Sequence, residues 1–215
     1  KYEKIELKPF VKWVDGKGQL VGELEKLILA SCEKGLTKYA EPFVGGGALL
    51  FNILSKYDFK NIYISDINAE LINAYNVIKN NVNGLIGVLS EIQENYLPLS
   101  DSERKNYYYK ARDNFNDLKL SKDSAVKKAA LFIFLNKTCF NGLYRVNRKG
   151  KFNVPMGAYK KPNICDKENL TRVAEALQNV TIVCGDYSLS KDFIDKNTLV
   201  YLDPPYRPIS ETAGF

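Results

Sequence analysis

The stretch from Lys38 to Asn80 does most to limit what this chain can fold into. Lys38 to Pro42 reads as a short strand that runs into Gly45-Gly46-Gly47, and Ala48 to Lys56 reads as the helix that follows. A second apolar run, Ile62 to Ser65, ends at Asp66, and Ala69 to Asn80 is again helical. Strand, glycine turn, helix, strand, acid, helix is how a doubly wound parallel sheet begins. Further strands are expected at Val180–Cys184 and Leu199–Leu202. In such a sheet ligands bind beyond the carboxyl ends of the strands. Four strands end there in an acid: Glu41, Asp66, Asp186 (in Gly185-Asp186-Tyr187) and Asp203.

The glycine turn lets the backbone approach a ligand closely. A dinucleotide fingerprint would need glycine at position 50, which is Leu50, and no Gly-Lys-Ser/Thr ending marks a P-loop. A small nucleoside-like ligand without pyrophosphate fits, as does a plain tight turn. Asp66 suits ribose hydroxyls or a helix cap. Asp186 can accept from an adenine amino group and Tyr187 can stack on the ring. Asp203-Pro204-Pro205-Tyr206 ends its strand with two residues that lack an N–H. That corner offers acceptors only, so it fits a ligand bringing donors, such as an amino group, with Tyr206 as a cover. Taken alone, the same four residues also read as a strand followed by a rigid loop.

Between the strand pairs the pattern is helical, over Gly84–Glu94, Asp101–Leu118 and Ser124–Asn136. Asn141 to Tyr159 has neither period and reads as a loop with room for a hairpin. Near the start, Gly18 to Lys34 is helical, with Leu20, Leu24, Leu27, Ile28 and Cys32 on one side. At 215 residues and 45% hydrophobic content, the chain has enough for one cored domain carrying an insertion. No apolar run reaches the ~20 residues of a membrane span and no secretory signal is visible, so a soluble cytoplasmic protein is expected. Cys32, Cys139, Cys165 and Cys184 are read as buried free thiols. The absence of histidine removes His bases, Ser-His-Asp triads and most zinc sites. The formal charge is +6, and from Lys137 to Cys165 there are seven bases and no acid. Such a stretch is a candidate polyanion-binding face.

The order of Lys8-Pro9-Phe10-Val11-Lys12-Trp13, Glu41-Pro42-Phe43-Val44-Gly45-Gly46-Gly47, Asp66-Ile67-Asn68 and Asp203-Pro204-Pro205-Tyr206 resembles Dam-type (class alpha, GATC-specific) DNA adenine-N6 methyltransferases. Asn141-Gly142-Leu143-Tyr144-Arg145-Val146-Asn147, preceded by Phe140, and Phe152-Asn153-Val154-Pro155-Met156-Gly157 are similar to that family's target-recognition loop. The resemblance implies a Rossmann-like sheet that binds S-adenosylmethionine, releases S-adenosylhomocysteine and methylates a flipped adenine. It places the catalytic domain at 1–83 and 163–215 and a helical recognition insertion at 84–162. Asp203, Pro204, Pro205 and Tyr206 match the catalytic motif. Trp13, Lys17, Glu41, Phe43, Gly45, Gly46, Gly47, Asp66, Asp186, Tyr187 and Asp203 match cofactor positions. Lys12, Arg112, Phe140, Asn141, Leu143, Arg145, Asn147 and Pro155 match DNA contacts, with Arg145 on a guanine and Phe140 as an aromatic wedge. The implied partner is double-stranded DNA, with no membrane and no metal, for a monomer. Asp15 stands where the family usually has glycine, and family members continue beyond Phe215, so the C-terminal part of the sheet is expected to be missing. A cytosine-N4 methyltransferase would usually open the motif with Ser or Thr, and an RNA or protein amide methyltransferase with Asn. A non-enzymatic DNA-binding protein with a dead cofactor pocket is the alternative of a different class.

Overall fold

The computed structural model describes residues 6–13 and 18–205. They form a mixed α/β structure around a four-stranded parallel sheet in the order β3-β2-β1-β4. The strands are β1 (Lys38–Glu41), β2 (Asn61–Asp66), β3 (Val180–Cys184) and β4 (Thr198–Val200). The register aligns Glu41 with Ile64, Asp66 with Cys184 and Ala40 with Val200, which brings the strand ends to one edge. β1 and β2 are central and almost wholly buried, as expected for strands covered on both faces. β4 is shorter than the expected Leu199–Leu202. One further backbone bond, from Tyr201 N–H to the Ala40 carbonyl, carries the chain past it to Asp203.

The helices are α1 (Gly18–Glu33), α2 (Ala48–Lys56), α3 (Ala69–Tyr96), α4 (Asp101–Asp117), α5 (Ala125–Thr138) and α6 (Lys167–Ala176). In α1, Ile28 is buried and Leu24 and Cys32 are half-buried, but Leu27 is 65% exposed, against expectation. Leu27 sits about 100° around the helix axis from Ile28, so it falls off the covered stripe. The side chain of Leu20 lies outside the described residues. The two helices expected at 69–80 and 84–94 are a single element, α3, broken only at Asn81 (φ −152°, ψ 51°). The Asn81 side chain accepts from Gly84 N–H at 3.2 Å, as an N-cap does, so the chain restarts its helix without a loop. The boundary drawn at residues 83 and 84 falls inside this element. α6 was not anticipated; Asp166 caps it and its Leu170, Val173 and Ala174 are buried, where it packs on α3. The Cys184 thiol is exposed, and all four cysteines are free.

α5 is buried along nearly its whole length between α3 and α4. Lys128 on α5 is 5% exposed, and burial pulls its ammonium below the usual lysine range. It donates to the carbonyls of Phe115 at 2.6 Å and Leu118 at 2.9 Å, satisfying orphan acceptors at the α4 C-terminus. The segment 139–157 is fastened to these helices. Tyr108 donates to the Val154 carbonyl at 2.9 Å, and Asn116 bonds both the N–H and the carbonyl of Phe152. Antiparallel bridges at Val146–Phe152 and Cys139–Met156 make it hairpin-like.

Candidate active site

A cavity of about 640 Å³ opens at the carboxyl edge of the sheet, within the usual range for small-molecule sites. Its lining brings together Lys12, Trp13, Glu41, Phe43, Gly45, Gly46, Gly47, Asp66, Asp186, Tyr187, Asp203 and Pro205. Parallel strands deliver Glu41, Asp66 and Asp203 to one side, and Trp13 joins them by packing of the N-terminal segment against the glycine turn. Pro204 is exposed beside it. Lys17 and Tyr206 lie outside the described residues.

The turn after β1 is held by its neighbours. Gly45 N–H donates to Asp66 Oδ2 at 3.1 Å, and Tyr75 on α3 donates its hydroxyl to the Gly45 carbonyl at 3.1 Å. Gly47 is left-handed (φ 78°) and precedes α2. A Cβ on Gly46 would stand 2.7 Å from Trp13 Cβ, and one on Gly45 3.1 Å from the indole. The glycines therefore give Trp13 its place against the turn. Asp66 is not the helix cap, since Asn68 caps α3 by accepting from Leu71 N–H at 3.0 Å. Asp66 Oδ1 accepts from Asn68 N–H at 2.9 Å, and a carboxylate has about four acceptor sites, so capacity remains toward the cavity.

The acids differ in environment. Glu41 is 3% exposed and accepts from the buried Tyr39 hydroxyl at 2.8 Å. Burial pushes its carboxyl up to about 8; the neighbouring Asp203 charge adds to this and the Tyr39 donor opposes it. Asp186 is exposed, and its hydrogen bonds with Ser188 hold it below the usual carboxylate range. Phe43 and Tyr187 stack with centroids 5.7 Å apart beside it.

The predicted DNA residues sit apart from the cavity, except Lys12. The Lys12 ammonium lies 3.8 Å from the centre of the Tyr159 ring. The buried Asn136 side chain binds the N–H and the carbonyl of Lys12 at 2.7 Å each and the Gly142 carbonyl at 3.0 Å. It thereby joins the N-terminal segment to the hairpin segment. Phe140 and Pro155 are exposed, as is Asn141, which adopts a left-handed φ of 53°. Leu143 is half-buried against the core. Arg145 is exposed, and its Nε donates to Asn153 at 2.9 Å. Asn147 also shapes the hairpin tip, accepting from the N–H groups of Lys149 and Lys151. Arg112 places its guanidinium 4.6 Å from the Tyr109 ring centre. Of the seven bases, Lys151 pairs with Asp117 at 2.9 Å, and Lys137 is pulled down by burial.

Sequence reasoning passed over Asn68, Tyr75 and Tyr144. Asn68 stood in the quoted Asp66-Ile67-Asn68, but Tyr75 and Tyr144 carry no local signal of their contacts with the turn and with Trp13. Among the described residues there is no cluster of three or more Cys, Asp or Glu able to hold a metal, and no helix long and apolar enough to cross a membrane.

Residues 13–215 match the family described as D12 class N6 adenine-specific DNA methyltransferase. The chain belongs to that family. The methyltransferase is 50% identical to the type II methyltransferase M.MjaIII of Methanocaldococcus jannaschii over 212 residues, covering 98% of this chain and 73% of that protein. It is 39% identical to the type II methyltransferase M1.LlaDCHI of Lactococcus lactis subsp. cremoris, covering 99% of this chain and 70% of the relative. A DNA adenine methylase of Haemophilus influenzae is 34% identical, covering 99% and 68%. DNA is thus the substrate implied for this enzyme, together with a methyl donor.

Proposed function

We propose that this methyltransferase transfers a methyl group from S-adenosylmethionine to the N6 amine of adenine in 5′-GATC-3′, in double-stranded DNA, with the target base out of the helix. The observation that carries the reading is the meeting of Asp203 and Pro205 with the glycine turn and three further acids at one cavity, with Pro204 exposed beside it. Asp66, Asp186 and Asp203 around the cavity favour a cationic ligand over a pyrophosphate. Trp13 and the turn at Gly45–Gly47 would hold the methionine part, Asp66 the ribose hydroxyls, and Asp186 with Phe43 and Tyr187 the adenine. Lys17 and Tyr206 are assigned alongside them from the family resemblance. When bound there, S-adenosylmethionine would supply an electrophilic sulfonium methyl, so that an N–CH3 bond forms as the S–CH3 bond breaks, S-adenosylhomocysteine leaves and the methylated amine gives up one proton.

The chain's own contribution is at the nucleophile. The lone pair of an exocyclic adenine amine is delocalised into the ring, so the nitrogen attacks poorly. The Asp203 carboxylate and the Pro204 carbonyl accept hydrogen bonds from its two N–H groups, which favours a pyramidal nitrogen with a localised lone pair. Positioning and electrostatics then carry the rate without a covalent enzyme intermediate. A base stacked in a duplex cannot reach this corner, so the adenine must flip. Residues 84–162 serve as the recognition part on a catalytic frame of 1–83 and 163–215. Arg145 is suited to guanine, because Asn153 engages its Nε and leaves the terminal nitrogens for a bidentate contact. Phe140, Asn141, Leu143, Asn147, Pro155, Lys12 and Arg112 complete the DNA contacts. The enzyme acts as a monomer, inside the cell where DNA lies, and the type II names of two relatives favour a restriction–modification setting.

The test is methylation of a defined plasmid with mapping of the modified bases, for the wild type and Asp203→Ala. Methyl groups on the adenines of GATC, and near-complete loss of turnover with retained DNA binding in the variant, are expected. Modification elsewhere, or a variant that keeps substantial turnover, would overturn the specificity or the catalytic assignment respectively.

A further inference from the structure

Tyr144 lies one residue before Arg145, in the segment between the 3-10 turn Phe140–Gly142 and the bridge at Val146. Its ring stacks on Trp13, with centroids 5.7 Å apart and planes 17° apart. Trp13 in turn lies against Gly45 and Gly46. Tyr144 therefore touches the cavity wall through Trp13 without lining the cavity itself. Phe132 and Phe152, with ring centres 5.6 and 5.8 Å away, pack around it. The chain is extended at Leu143, and neighbouring residues of an extended segment face opposite ways, which fits a half-buried Tyr144 followed by an exposed Arg145.

We infer that Tyr144 is a positioning residue that couples the recognition segment to the methyl-donor cavity, so that a filled cavity and a bound target site each stabilise the other. The inference rests on the donor site proposed above. A ligand that fixes Trp13 against the glycine turn also fixes the surface on which Tyr144 stacks, and with it the backbone that carries Arg145. DNA that fixes Arg145 acts through the same contacts in the opposite direction. Such coupling of binding free energies is reciprocal.

Trp13 is the only tryptophan in the chain, so intrinsic fluorescence reads this stack directly. S-Adenosylhomocysteine is titrated into the wild type, Tyr144→Phe and Tyr144→Ala, with and without a saturating GATC duplex. The wild type is expected to bind it more tightly with the duplex present, by a factor in the range of roughly 5 to 150 found for coupled sites. Tyr144→Phe keeps the ring stack and most of that factor. Tyr144→Ala is expected to show a factor near one while circular dichroism shows it folded. If the alanine variant does not fold, Tyr144→Leu, which keeps bulk without a stacking ring, is judged by the same factor. An unchanged factor in the non-aromatic variant overturns the inference, and so does a factor of one in the wild type. Failure of the wild type to bind S-adenosylhomocysteine at all overturns the donor-site reading, and this inference with it.

Discussion

Replacing Glu41 by Gln should make the protein less sensitive to rising pH. In the fold Glu41 is 3% exposed, and burial holds its carboxyl at about 8 instead of 4.5. The folded state therefore binds this proton more tightly than the unfolded chain does. The stability tied to that proton is fully present below 4.5 and is lost as pH rises through about 8. Each pH unit inside that window costs 1.36 kcal/mol, so pH 5 to pH 7.5 removes about 3 kcal/mol. Gln is close in shape, stays neutral, and its carbonyl can still accept the Tyr39 hydroxyl that now reaches Glu41 at 2.8 Å. Titrating groups far from position 41 are common to both proteins and cancel in their difference; Asp203, whose charge adds to the Glu41 shift, is the one that need not. Urea unfolding at half-unit steps from pH 5 to 7.5, with linear extrapolation, measures that difference. It should move by about 3 kcal/mol in favour of Glu41→Gln, or about 6–12 °C in thermal midpoint for a chain of this size. A stability difference that stays flat across the series would refute the assignment of a neutral, buried Glu41.

Three further outcomes are expected. Arg145→Ala should relax the preference at the guanine it reads, by roughly 1–3 kcal/mol of discrimination, when GATC and its single-substitution variants are methylated in parallel; an unchanged site preference would remove Arg145 from the reading. DNA affinity should fall with salt at a log–log slope of about −0.9 per phosphate neutralised, near −3.6 if the exposed Arg148, Lys149, Lys160 and Lys161 all reach phosphates; a slope near zero would remove the polyanion role of this stretch. Asn136→Leu should destabilise the fold, because the Lys12 N–H and two carbonyls lose their partner. At about 1–3 kcal/mol for each buried group left unpaired, a loss below 1 kcal/mol in denaturant unfolding would contradict the clamp.

Much of the frame of this methyltransferase was legible in the chain itself, because it is written in neighbours. Apolar runs of four to six residues, a glycine turn and helical periods report on atoms a few residues apart, and they located β1, β2, β3 and every helix except α6, with α3 read as two. The placement of Glu41, Asp66, Asp186 and Asp203 at one cavity followed as well, since parallel strands deliver their ends to the same edge. Other features depend on residues far apart in sequence. Asn136 bonds Lys12 across 124 positions, Lys128 is buried because the α4 carbonyls receive it, and Tyr144 stacks on Trp13. Leu27 is 65% exposed because which stripe of α1 is covered is decided by the packing around Ile28, and Leu27 lies about 100° away from it. The kink at Asn81 is a nearer miss: the sequence pattern ends one helix at Asn80 and begins another at Gly84, but the Asn81 side chain caps the resumed helix and the two run on as one element. The burial that raises the Glu41 carboxyl is likewise tertiary, because an acid at a strand end is written the same way whether solvent or packed side chains surround it.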